Sequence, residues 1–316
     1  MRGILEAPNK MSKILITGGA GFVGSHLVDK YIDLGHQVIV IDNLAHGKKE
    51  NINPKAKFYK TDIRNTEEIK RIFVKEKPEI LNHHAAQINA RKSILNPLLD
   101  AEINILGFLN LLEAGIKNNL KKVIFASSSA VYGETEVLPT PEDYEPKQPL
   151  SPYGIDKLTA EKYLGFYFKN YGLNFVVLRY ANIYGPRQDP DGEGGVIAIF
   201  SKKFFKGGNI FINGDGKQTR DFIFIDDIVS ANILALEKNI NEVLNIGTSK
   251  ETSINKIFDL ITEQTRIILP QKHIPSIFKE QRRSSLDSSL AKKKLGWEAK
   301  TSLKEGLKKT LNYFCR

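Results

Sequence analysis

The sequence contains very little cysteine and no long apolar segment. Its 316 residues include a single cysteine, Cys315, so a disulfide within the chain is excluded. Such sparse cysteine usage is typical of proteins in a reducing compartment. No apolar run approaches the roughly 20 residues that a membrane-spanning helix requires. The sequence therefore predicts a cytoplasmic protein without a membrane partner.

The N-terminal residues also lack the apolar core of a secretory signal peptide. The chain starts with MRGILEAPNK, and a second methionine, Met11, stands directly before the first strand-like run. We therefore interpret residues 1–10 as a leader and leave them out of the fold prediction.

Acidic residues are fewer than basic residues, 36 against 46, which gives a formal net charge of +10. An excess of positive charge suggests the hypothesis of a nucleic-acid partner. The lysines are scattered along the chain, however, and no stripe of stacking aromatic residues runs between them. We therefore predict no nucleic-acid partner and interpret the lysines as solvated helix faces, with some attraction for an anionic substrate.

Short apolar runs alternate with helix-like segments through the first half of the chain. KILIT, QVIVID, KFYKTDI, EILNHHA, KKVIFAS and NFVVLRY are strand-like, whereas GFVGSHLVDKYIDLG repeats its apolar residues at helical spacing. Continuous apolar strands separated by helices are typical of a parallel sheet that is covered on both faces. We predict an α/β fold with a Rossmann-type doubly wound parallel sheet and a smaller, mostly helical C-terminal lobe.

Three glycines stand between the first strand-like run and the first helix-like segment. Gly18, Gly21 and Gly24 are spaced G-x-x-G-x-x-G, and Asp42 ends the next strand-like run. Glycines allow the backbone to approach a pyrophosphate, whose charge is stabilised by the amides of a helix N-terminus. Asp42 can accept hydrogen bonds from the adenosine ribose and repels a 2′-phosphate. The pattern predicts NAD as the cofactor, in preference to NADP.

The ends of the third and fourth strand-like runs carry further candidates. Asp62 and Ile63 follow the third run and are predicted to hold the adenine. His83 and His84 follow the fourth run and suggest a metal site, but neighbours on a strand point to opposite faces. The sequence also offers no cysteine or carboxylate at a spacing that would complete such a site. We therefore predict no metal and interpret both histidines as structural or cofactor-lining.

The pattern changes after about residue 180. YGPRQDPDGEGG is a loop rich in glycine, proline and charge, and helix-like segments dominate the tail. We predict an NAD-binding domain over residues 11–180, to which residues 222–248 return. Residues 181–221 and 249–316 are predicted to form a second, substrate-binding lobe.

Several independent motifs lie beyond the fourth strand-like run. ASSSAVYG follows the fifth run, Tyr153 and Lys157 form a Y-x-x-x-K pair, and RYANIYGPR, GDGKQTRDFIFIDD and LGW come later. Together with the glycine pattern, they resemble the extended short-chain dehydrogenase/reductase family, especially its nucleotide-sugar epimerases related to UDP-glucose 4-epimerase. The resemblance extends from about Met11 to the C-terminus. It implies an NAD-dependent enzyme that epimerises a UDP-hexose, bound by the second lobe.

The resemblance assigns the catalytic roles to Tyr153, Lys157 and Ser128, with Ser129 as an auxiliary candidate. On a helix, Tyr153 and Lys157 are about one turn apart and share a face. A phenol has a pKa of ~10, which makes it a weak base at neutral pH. We predict that the Lys157 ammonium and the positive nicotinamide ring of NAD lower the pKa of Tyr153. Tyr153 would take the proton of a sugar hydroxyl, and Ser128 would bind the same oxygen.

The resemblance also implies the course of the reaction. NAD acts as a bound catalyst: C4 of the sugar is oxidised, the 4-keto intermediate turns over, and hydride returns to its other face. Related dehydratases and decarboxylases place acidic residues beside the catalytic hydroxyl, where this chain has Ser129 and Ala130. This difference favours plain epimerisation of UDP-glucose and UDP-galactose. Two alternatives stay open, an epimerase of another UDP-sugar such as UDP-glucuronate and a non-catalytic nucleotide-sensing protein on the same fold.

The motifs and strand ends together predict two sets of binding residues. The predicted cofactor site consists of Gly18, Gly21, Phe22, Val23, Gly24, Asp42, Asn43, Asp62, Ile63, Ala85, Ala86, Asn104, Tyr153, Lys157 and Tyr180. The predicted substrate site consists of Ser128, Ser129, Tyr153, Asn182, Val196, Arg220, Glu280 and Ser284. Arg220 is expected on the diphosphate, with a surface salt bridge to Asp215 or Asp221 as the alternative.

One position departs from the family pattern. The family's second phosphate-binding arginine falls on Ile277, which leaves Lys279, Arg282 or Arg283 as its replacement. Ser284 stands where epimerases limited to unsubstituted hexoses carry a bulky tyrosine. We therefore expect the protein to accept UDP-N-acetylglucosamine and UDP-N-acetylgalactosamine as well as UDP-glucose.

Two helix-like segments, PLLDAEINILGFLNLLEAG and LTAEKYLGFYFKNYG, are apolar on more than one face. One face of each is needed for packing on the sheet. The remainder resembles the two-helix dimer surface of the family, which forms a four-helix bundle across a two-fold axis. This resemblance predicts a homodimer.

Overall fold

The computed structural model describes residues 11–191, 195–275 and 281–315. Its strands are β1 (Lys13–Thr17), β2 (Gln37–Asp42), β3 (Lys57–Lys60), β4 (Ile80–His83), β5 (Lys122–Ser128), β6 (Asn174–Tyr180), β7 (Asn182–Tyr184), β8 (Ile210–Asn213), β9 (Thr219–Arg220), β10 (Phe222–Phe224), β11 (Glu242–Ile246), β12 (Thr252–Ser253) and β13 (Gln271–Ile274). Its α-helices are α1 (Phe22–Asp33), α2 (Thr66–Glu76), α3 (Ala90–Leu95), α4 (Pro97–Ala101), α5 (Gly107–Lys117), α6 (Pro152–Tyr171), α7 (Val196–Lys206), α8 (Ile225–Glu237), α9 (Ile254–Thr265), α10 (Ser289–Leu295) and α11 (Leu303–Phe314). Within these ranges, none of the helices combines the length and the apolar character needed to cross a bilayer.

Seven parallel strands form the main sheet, in the order β11-β6-β5-β4-β1-β2-β3. The chain runs outward from β1 to β3 and then returns to place β4 on the other side of β1. In open α/β sheets, ligands bind beyond the carboxyl ends of the strands at such a switch point. The predicted Rossmann-type doubly wound sheet is therefore confirmed.

The strands are continuous apolar runs because both faces of the sheet are buried. In β1, Leu15 belongs to one hydrophobic cluster with Phe108 of α5. Its neighbours Ile14 and Ile16 belong to another cluster, with Leu27 of α1. The alternation follows from the two-residue period of a strand, and it places helices on each side of the sheet.

A third cluster joins the sheet to the later part of the chain. It contains Val176 and Leu178 of β6 together with Phe200 of α7, Ile257 of α9 and Trp297. Three small strand pairs, β7 with β10, β9 with β12 and β8 with β13, accompany these helices. The helices of the later segments are thus packed on the main sheet through a shared core.

Helix α6 carries the Y-x-x-x-K pair, and local sequence fixes where it begins. The Ser151 side chain accepts a hydrogen bond from the Gly154 N–H at 3.3 Å, and Pro152 occupies the first turn. Both features are typical of helix N-termini. The helix ends at Gly172, whose φ of +68° closes it in the left-handed conformation. Tyr153 consequently lies in the first turn of α6 and Lys157 in the second.

Candidate active site

The glycine turn between β1 and α1 leaves no room for side chains. A Cβ atom on Gly18, whose φ is +70°, would lie 2.7 Å from the backbone nitrogen of Ala85. A Cβ atom on Gly24 would lie 2.1 Å from the carbonyl oxygen of Gly18. The Gly21 N–H donates to that same oxygen at 3.1 Å. These approaches draw the first turn of α1 tightly against the end of β1.

The N-terminus of α1 is suited to bind an anion. Within the part of the chain that the structure describes, no side chain caps Gly21, and the first turn contains no acidic residue. Its amides and the positive end of the helix dipole therefore favour a pyrophosphate. Phe22 and Val23, the first two residues of the helix, pack against the hydrophobic core. The turn fits the pyrophosphate of NAD.

Asp42 ends β2 beside this turn and is buried. Its carboxylate accepts hydrogen bonds from the Ala20 N–H at 3.0 Å and the Leu44 N–H at 2.8 Å. A carboxylate has about four lone-pair sites, so two remain for ribose hydroxyls. The fixed negative charge is suited to a ribose diol and opposes a 2′-phosphate, as predicted for an NAD site.

Asp62 and Asn43 are in contact, but Arg64 also binds the Asp62 carboxylate through its guanidinium group. Asn43 Nδ2 donates to Asp62 at 2.9 Å, and the Arg64 guanidinium donates at 3.0 and 2.9 Å. These Arg64 hydrogen bonds lower the pKa of Asp62 to about 2. Ile63 is buried in the core beside α5. Arg64 was not among the predicted site residues.

The loop after β4 is fastened to β1 through one hydroxyl. Thr17 Oγ1 accepts from the N–H groups of His84 and Ala85, both at 3.2 Å, and lies 2.7 Å from His83 Nδ1. Burial lowers the pKa of His83 well below its ordinary value. His83 is thus a structural residue between the strands. The loop brings Ala85 against Gly18, where the cofactor was predicted to lie.

His84 and Tyr180 lie on the opposite side of the same strand ends. Their rings stack at a centroid distance of 6.2 Å, and the Tyr180 hydroxyl accepts from Asn232 Nδ2 at 2.8 Å. Burial lowers the pKa of His84 to about 3. Among the described residues, no three histidine, cysteine or acidic side chains are grouped as metal ligands.

Asn104 lies in a π-helical segment, Glu102–Leu106, between α4 and α5. Its amide accepts from the Gln87 N–H at 2.9 Å and donates to the Gln87 carbonyl at 3.0 Å. The side chain therefore holds the loop that contains Ala85 and Ala86. π-Helical turns are frequently found at functional sites.

Tyr153, Lys157 and Ser128 meet at the carboxyl end of β5. The Ser128 hydroxyl lies close enough to Tyr153 to favour its ionised form, and Lys157 Nζ lies 5.8 Å from the centre of the Tyr153 ring. Lys157 is buried and donates to the carbonyl of Ala126 at 2.8 Å. Ser128 Oγ also accepts from the Ala130 N–H at 3.1 Å. The structure thus assembles the three predicted catalytic side chains.

Burial controls the electrostatics of this group in the protein by itself. Burial raises the pKa of Tyr153 to about 12, against a lowering effect of the Ser128 hydrogen bond. Burial also lowers the pKa of Lys157 to about 8. The prediction that Lys157 and the nicotinamide ring together lower the phenol pKa concerns the NAD-bound protein and stays a prediction, while in the protein by itself the cost of burying a charge raises that pKa. A phenolate here requires a further positive charge, which an oxidised nicotinamide ring supplies when bound.

The predicted substrate residues lie along the segment that follows the sheet. Asn182 is exposed at the start of β7, which pairs with β10, and its N–H donates to the Asp221 carbonyl at 2.9 Å. Arg220 lies in β9, directly before this contact. Ser129 opens the 3-10 turn after β5, and Val196 is the first residue of α7. The structure therefore brings Asn182 and Arg220 together.

The two carboxylates considered as alternative partners of Arg220 are held by other groups. Asp215 accepts two hydrogen bonds from Arg282, both at 2.8 Å. Asp221 is buried and accepts from the Thr248 N–H at 2.9 Å and the Thr248 hydroxyl at 2.6 Å. Both carboxylates therefore have structural roles in the segments that follow β8.

Arg282 and Arg283 flank the position of Ser284. Arg282 is paired with Asp215, and Arg283 donates to Glu251 at 2.9 and 2.5 Å. Ser284 itself is buried. Each guanidinium is thus oriented by a carboxylate. Ile277, Lys279 and the predicted substrate residue Glu280 lie outside the described residues.

Sequence analysis missed several residues around Lys157. Asp100 and Asp156 are buried beside it, and Ser93 Oγ accepts from the Tyr153 N–H at 3.2 Å. A usable signal existed for both aspartates, because Asp156 interrupts the Y-x-x-x-K pair and Asp100 interrupts an apolar helical stretch. Their proximity to one another depends on the packing of α4 against α6.

Comparison with known proteins connects this geometry to a family. Residues 14–247 match the model of the NAD dependent epimerase/dehydratase family. A UDP-glucose 4-epimerase from Thermotoga maritima, solved with UDP-glucose, is 50% identical with a TM-score of 0.93, covering 95% of this chain and 98% of that one. A UDP-glucose 4-epimerase from Thermus thermophilus, solved with NAD, is 37% identical with a TM-score of 0.90, covering 95% and 98%.

A third solved structure concerns a different sugar. A UDP-N-acetylglucosamine 4-epimerase from Methanobrevibacter ruminantium M1, in complex with UDP-N-acetylmuramic acid, is 36% identical with a TM-score of 0.91. The alignment covers 96% of this chain and 98% of that one. The range matched by the family model contains the glycine turn, Tyr153 and Lys157.

Proposed function

The chain belongs to the NAD dependent epimerase/dehydratase family, and on this premise we propose that it is a 4-epimerase of UDP-hexoses that interconverts UDP-glucose and UDP-galactose. One observation supports the proposal above the others. The side chains of Tyr153 and Ser128 lie beside the buried Lys157, at the end of the sheet where the glycine turn is also placed.

The residues at the strand ends fit NAD. The amides at the start of α1 receive the pyrophosphate, Asp42 receives the adenosine ribose, and Ala85 and Ala86 leave space beside the nicotinamide half. When bound, NAD would supply the hydride chemistry at C4 of the sugar, with hydride leaving one face and returning to the other. No net redox change results.

Tyr153 handles the proton of the C4 hydroxyl. Its phenolate accepts that proton as the C4–H bond breaks, and the phenol gives it back when the bond re-forms on the opposite face. Ser128 donates to the same sugar oxygen and keeps it within reach of Tyr153. Lys157 supplies the positive charge that favours the phenolate.

The surroundings of Ser128 favour epimerisation over dehydration. Dehydration requires a group that moves a proton at C5, and the turn after β5 offers Ser129 and Ala130 instead of a carboxylate. Glu161, the nearby acid on α6, accepts from Ser127 Oγ at 2.6 Å and from Arg179 at 3.0 and 2.6 Å. Because these groups hold its charge, Glu161 is not available as a base.

The second lobe, residues 181–221 and 249–316, binds the nucleotide in this proposal. Asn182 and Arg220 contact the diphosphate, for which the planar guanidinium is well suited. Val196, at the start of α7, lines the same side. Arg282 and Arg283 form the basic rim of the site and are oriented by Asp215 and Glu251.

Ser284 sets the breadth of the sugar pocket. Its side chain is small, so the bulk of a tyrosine, which would exclude an N-acetyl group, is missing at this position. We expect UDP-N-acetylglucosamine to be epimerised along with UDP-glucose. Replacement by tyrosine, Ser284→Tyr, is expected to abolish turnover of the acetylated sugar and to preserve turnover of UDP-glucose.

The protein is also proposed to act as a cytoplasmic homodimer. Leu106 of the π-helical segment and Phe166 and Tyr171 of α6 are 55%, 51% and 54% exposed. Such large apolar side chains on neighbouring helices favour a helical interface with a second copy. Sedimentation of the wild type and of Phe166→Glu tests this, since a monomeric wild type would contradict the dimer.

One experiment tests the activity. The protein is incubated separately with UDP-glucose, UDP-N-acetylglucosamine and UDP-glucuronate, and the C4 epimers are resolved by NMR. We expect UDP-galactose from the first and UDP-N-acetylgalactosamine from the second. Conversion of UDP-glucuronate alone would replace the proposed substrate, and tight binding without conversion of any sugar would indicate a nucleotide-sensing protein.

A further inference from the structure

Two buried aspartates lie behind the Tyr153–Lys157 pair. Asp100 of α4 is 1% exposed, and Asp156 of α6, which directly precedes Lys157, is 8% exposed. The two helices pack against each other. Isolated buried carboxylates are rare because removing a charge from water is costly. Two of them side by side, next to the proposed catalytic lysine, require an explanation.

Hydrogen bonds show how the two carboxyl groups are arranged. Asp100 Oδ1 accepts from Gln87 Nε2 at 2.6 Å. The Oδ2 atoms of Asp100 and Asp156 are both buried, and neither has a protein donor among the described residues. The two carboxyl groups are close enough to act on each other as a hydrogen-bonding pair. A hydrogen bond between two carboxyl groups forms only when one of them carries a proton.

The proton has a physical cause. Burial, followed by the hydrogen bond and the negative charge of Asp100, raises the pKa of Asp156 to about 7. Like charges at this range cannot both ionise readily, as in other buried carboxyl pairs. The pair therefore carries one negative charge at mildly acidic pH and gains a second as the pH rises through neutrality.

The titratable and charged groups that face Lys157 come from four elements. Asp100 lies in α4, and Tyr153, Asp156 and Glu161 lie in α6. His83 ends β4 and His84 directly follows it. Arg179 of β6 forms an ion pair with Glu161 and acts on Lys157 through it. Burial keeps both histidines neutral at working pH. Arg179 balances the charge of Glu161.

The aspartate pair thus provides the unbalanced negative charge facing Lys157 among the described residues. Asp100 is the largest contribution that raises the pKa of this lysine against its burial. The bond from Gln87 links the pair to the loop after β4, and Asn104 fixes that loop. Asn104, Gln87 and the aspartate pair therefore connect the loop after β4, on the predicted cofactor side of the site, with the second turn of α6.

The geometry points to a positioning role: Asp100 and Asp156 share one proton and together hold the positive charge on Lys157. This inference rests on the proposed catalytic roles of Tyr153 and Lys157. As the pH rises, the pair releases its proton and presents a second negative charge to the lysine. Lys157 then stays charged to a higher pH than one carboxylate would allow, and the phenolate keeps its cationic neighbour.

The test measures the charge of Lys157 directly. Isotope-labelled lysine side chains are titrated by NMR in the full-length wild type, in Asp156→Asn and in Asp100→Asn, with Lys157→Met to assign the signal. We expect the Lys157 titration midpoint to fall by about one pH unit in each variant. Asp33→Asn, an exposed aspartate at the end of α1, is the matched control and is expected to leave it unchanged. Unchanged midpoints in folded Asp100→Asn and Asp156→Asn would overturn the inference.

A second measurement does not depend on variants that fold. Infrared spectra of the wild type are expected to show a protonated carboxyl band that disappears near neutral pH. Absence of that band would show that the pair holds no proton and would also overturn the inference.

Turnover separates this inference from the proposed function. In both asparagine variants, the alkaline limb of the kcat–pH profile is expected to move to lower pH. If Tyr153→Phe retained full turnover, the proposed base would be wrong, while the Lys157 titration would still decide the role of the aspartates.

Discussion

The glycine turn and the Tyr153–Lys157 helix occupy the same edge of the sheet, yet they are built by opposite means. The turn is made of backbone, and a Cβ atom at Gly18 or Gly24 would meet other main-chain atoms. Helix α6 presents buried charged and polar side chains that stand further apart. Lys157 Nζ, for example, lies 5.8 Å from the centre of the Tyr153 ring. Steric fit therefore determines which residues the glycine turn tolerates. In the Tyr153–Lys157 helix, burial and charge matter more than steric fit. Substitutions should separate the two.

The largest effect is expected from removing a single oxygen in α6. Tyr153→Phe preserves packing but leaves no group to accept the sugar proton, so kcat should fall about 10²- to 10⁴-fold. NAD affinity, measured by calorimetry, should be unchanged. Tyr163→Phe, on the same helix, is the matched control and should keep its turnover. Full turnover in Tyr153→Phe would assign the base to another group.

A methyl group in the glycine turn is expected to produce the next largest effect. In Gly24→Ala, the new Cβ would lie 2.1 Å from the Gly18 carbonyl oxygen, so the turn must shift. We expect the unfolding free energy to fall by about 1–3 kcal/mol and NAD binding to weaken.

Gly165→Ala, in α6, provides the contrast. A Cβ atom there meets no atom within 4 Å. Alanine favours a helix by up to about 1 kcal/mol over glycine, so this variant should be slightly more stable than the wild type. Chemical denaturation gives the unfolding free energy of both variants. An equal loss of stability in Gly24→Ala and Gly165→Ala would contradict the steric contact expected at Gly24 alone.

The charge of Asp42 tests the one electrostatic element of the glycine region. Asp42→Asn removes the repulsion of a 2′-phosphate while retaining an oxygen for the Ala20 N–H. The ratio of NADP to NAD affinity should rise about tenfold, which corresponds to ~1.4 kcal/mol. Calorimetric titration with both nucleotides measures the ratio. An unchanged ratio would indicate that shape alone selects the cofactor.

The last prediction concerns the pH dependence of stability. The pKa of Asp156 is raised to about 7 in the folded protein, against ~3.9 for an unfolded aspartate, so the folded state holds the proton between these values. Its contribution to stability is therefore complete below pH ~4 and is lost as the pH rises to about 7, with a slope of at most ~1.4 kcal/mol per pH unit. Asp156→Asn should lack this component in denaturation curves across that range. Parallel curves would contradict the raised pKa.

The sequence predicted the geometry of the glycine turn well and the surroundings of the Tyr153–Lys157 pair only in outline. The positions of Gly18, Gly21, Gly24 and Asp42 followed from their spacing between strand and helix, because local backbone geometry determines that turn. The structure places Tyr153 and Lys157 on one helix, as their spacing predicted. The effect of burial on the phenol pKa could not be read from the spacing, because it depends on distant segments.

Contacts between distant segments explain the remaining differences. Asp100 and Asp156 are far apart in sequence, and only the packing of α4 on α6 brings them together. Likewise, Arg282 and Arg283 were candidates for a phosphate contact, whereas their orientation depends on Asp215 and Glu251. A spacing rule cannot foresee such partners.

The hydrophobic cluster that joins β6 to α7, α9 and Trp297 restricts how a sugar nucleotide can reach the pocket. Swinging the later segments away from the sheet, as in a hinged two-domain enzyme, would expose the aliphatic and aromatic side chains that both parts share. We therefore expect this shared core to stay intact while the sugar nucleotide enters and leaves. Denaturation of the sheet and of the later helices should accordingly be one cooperative event.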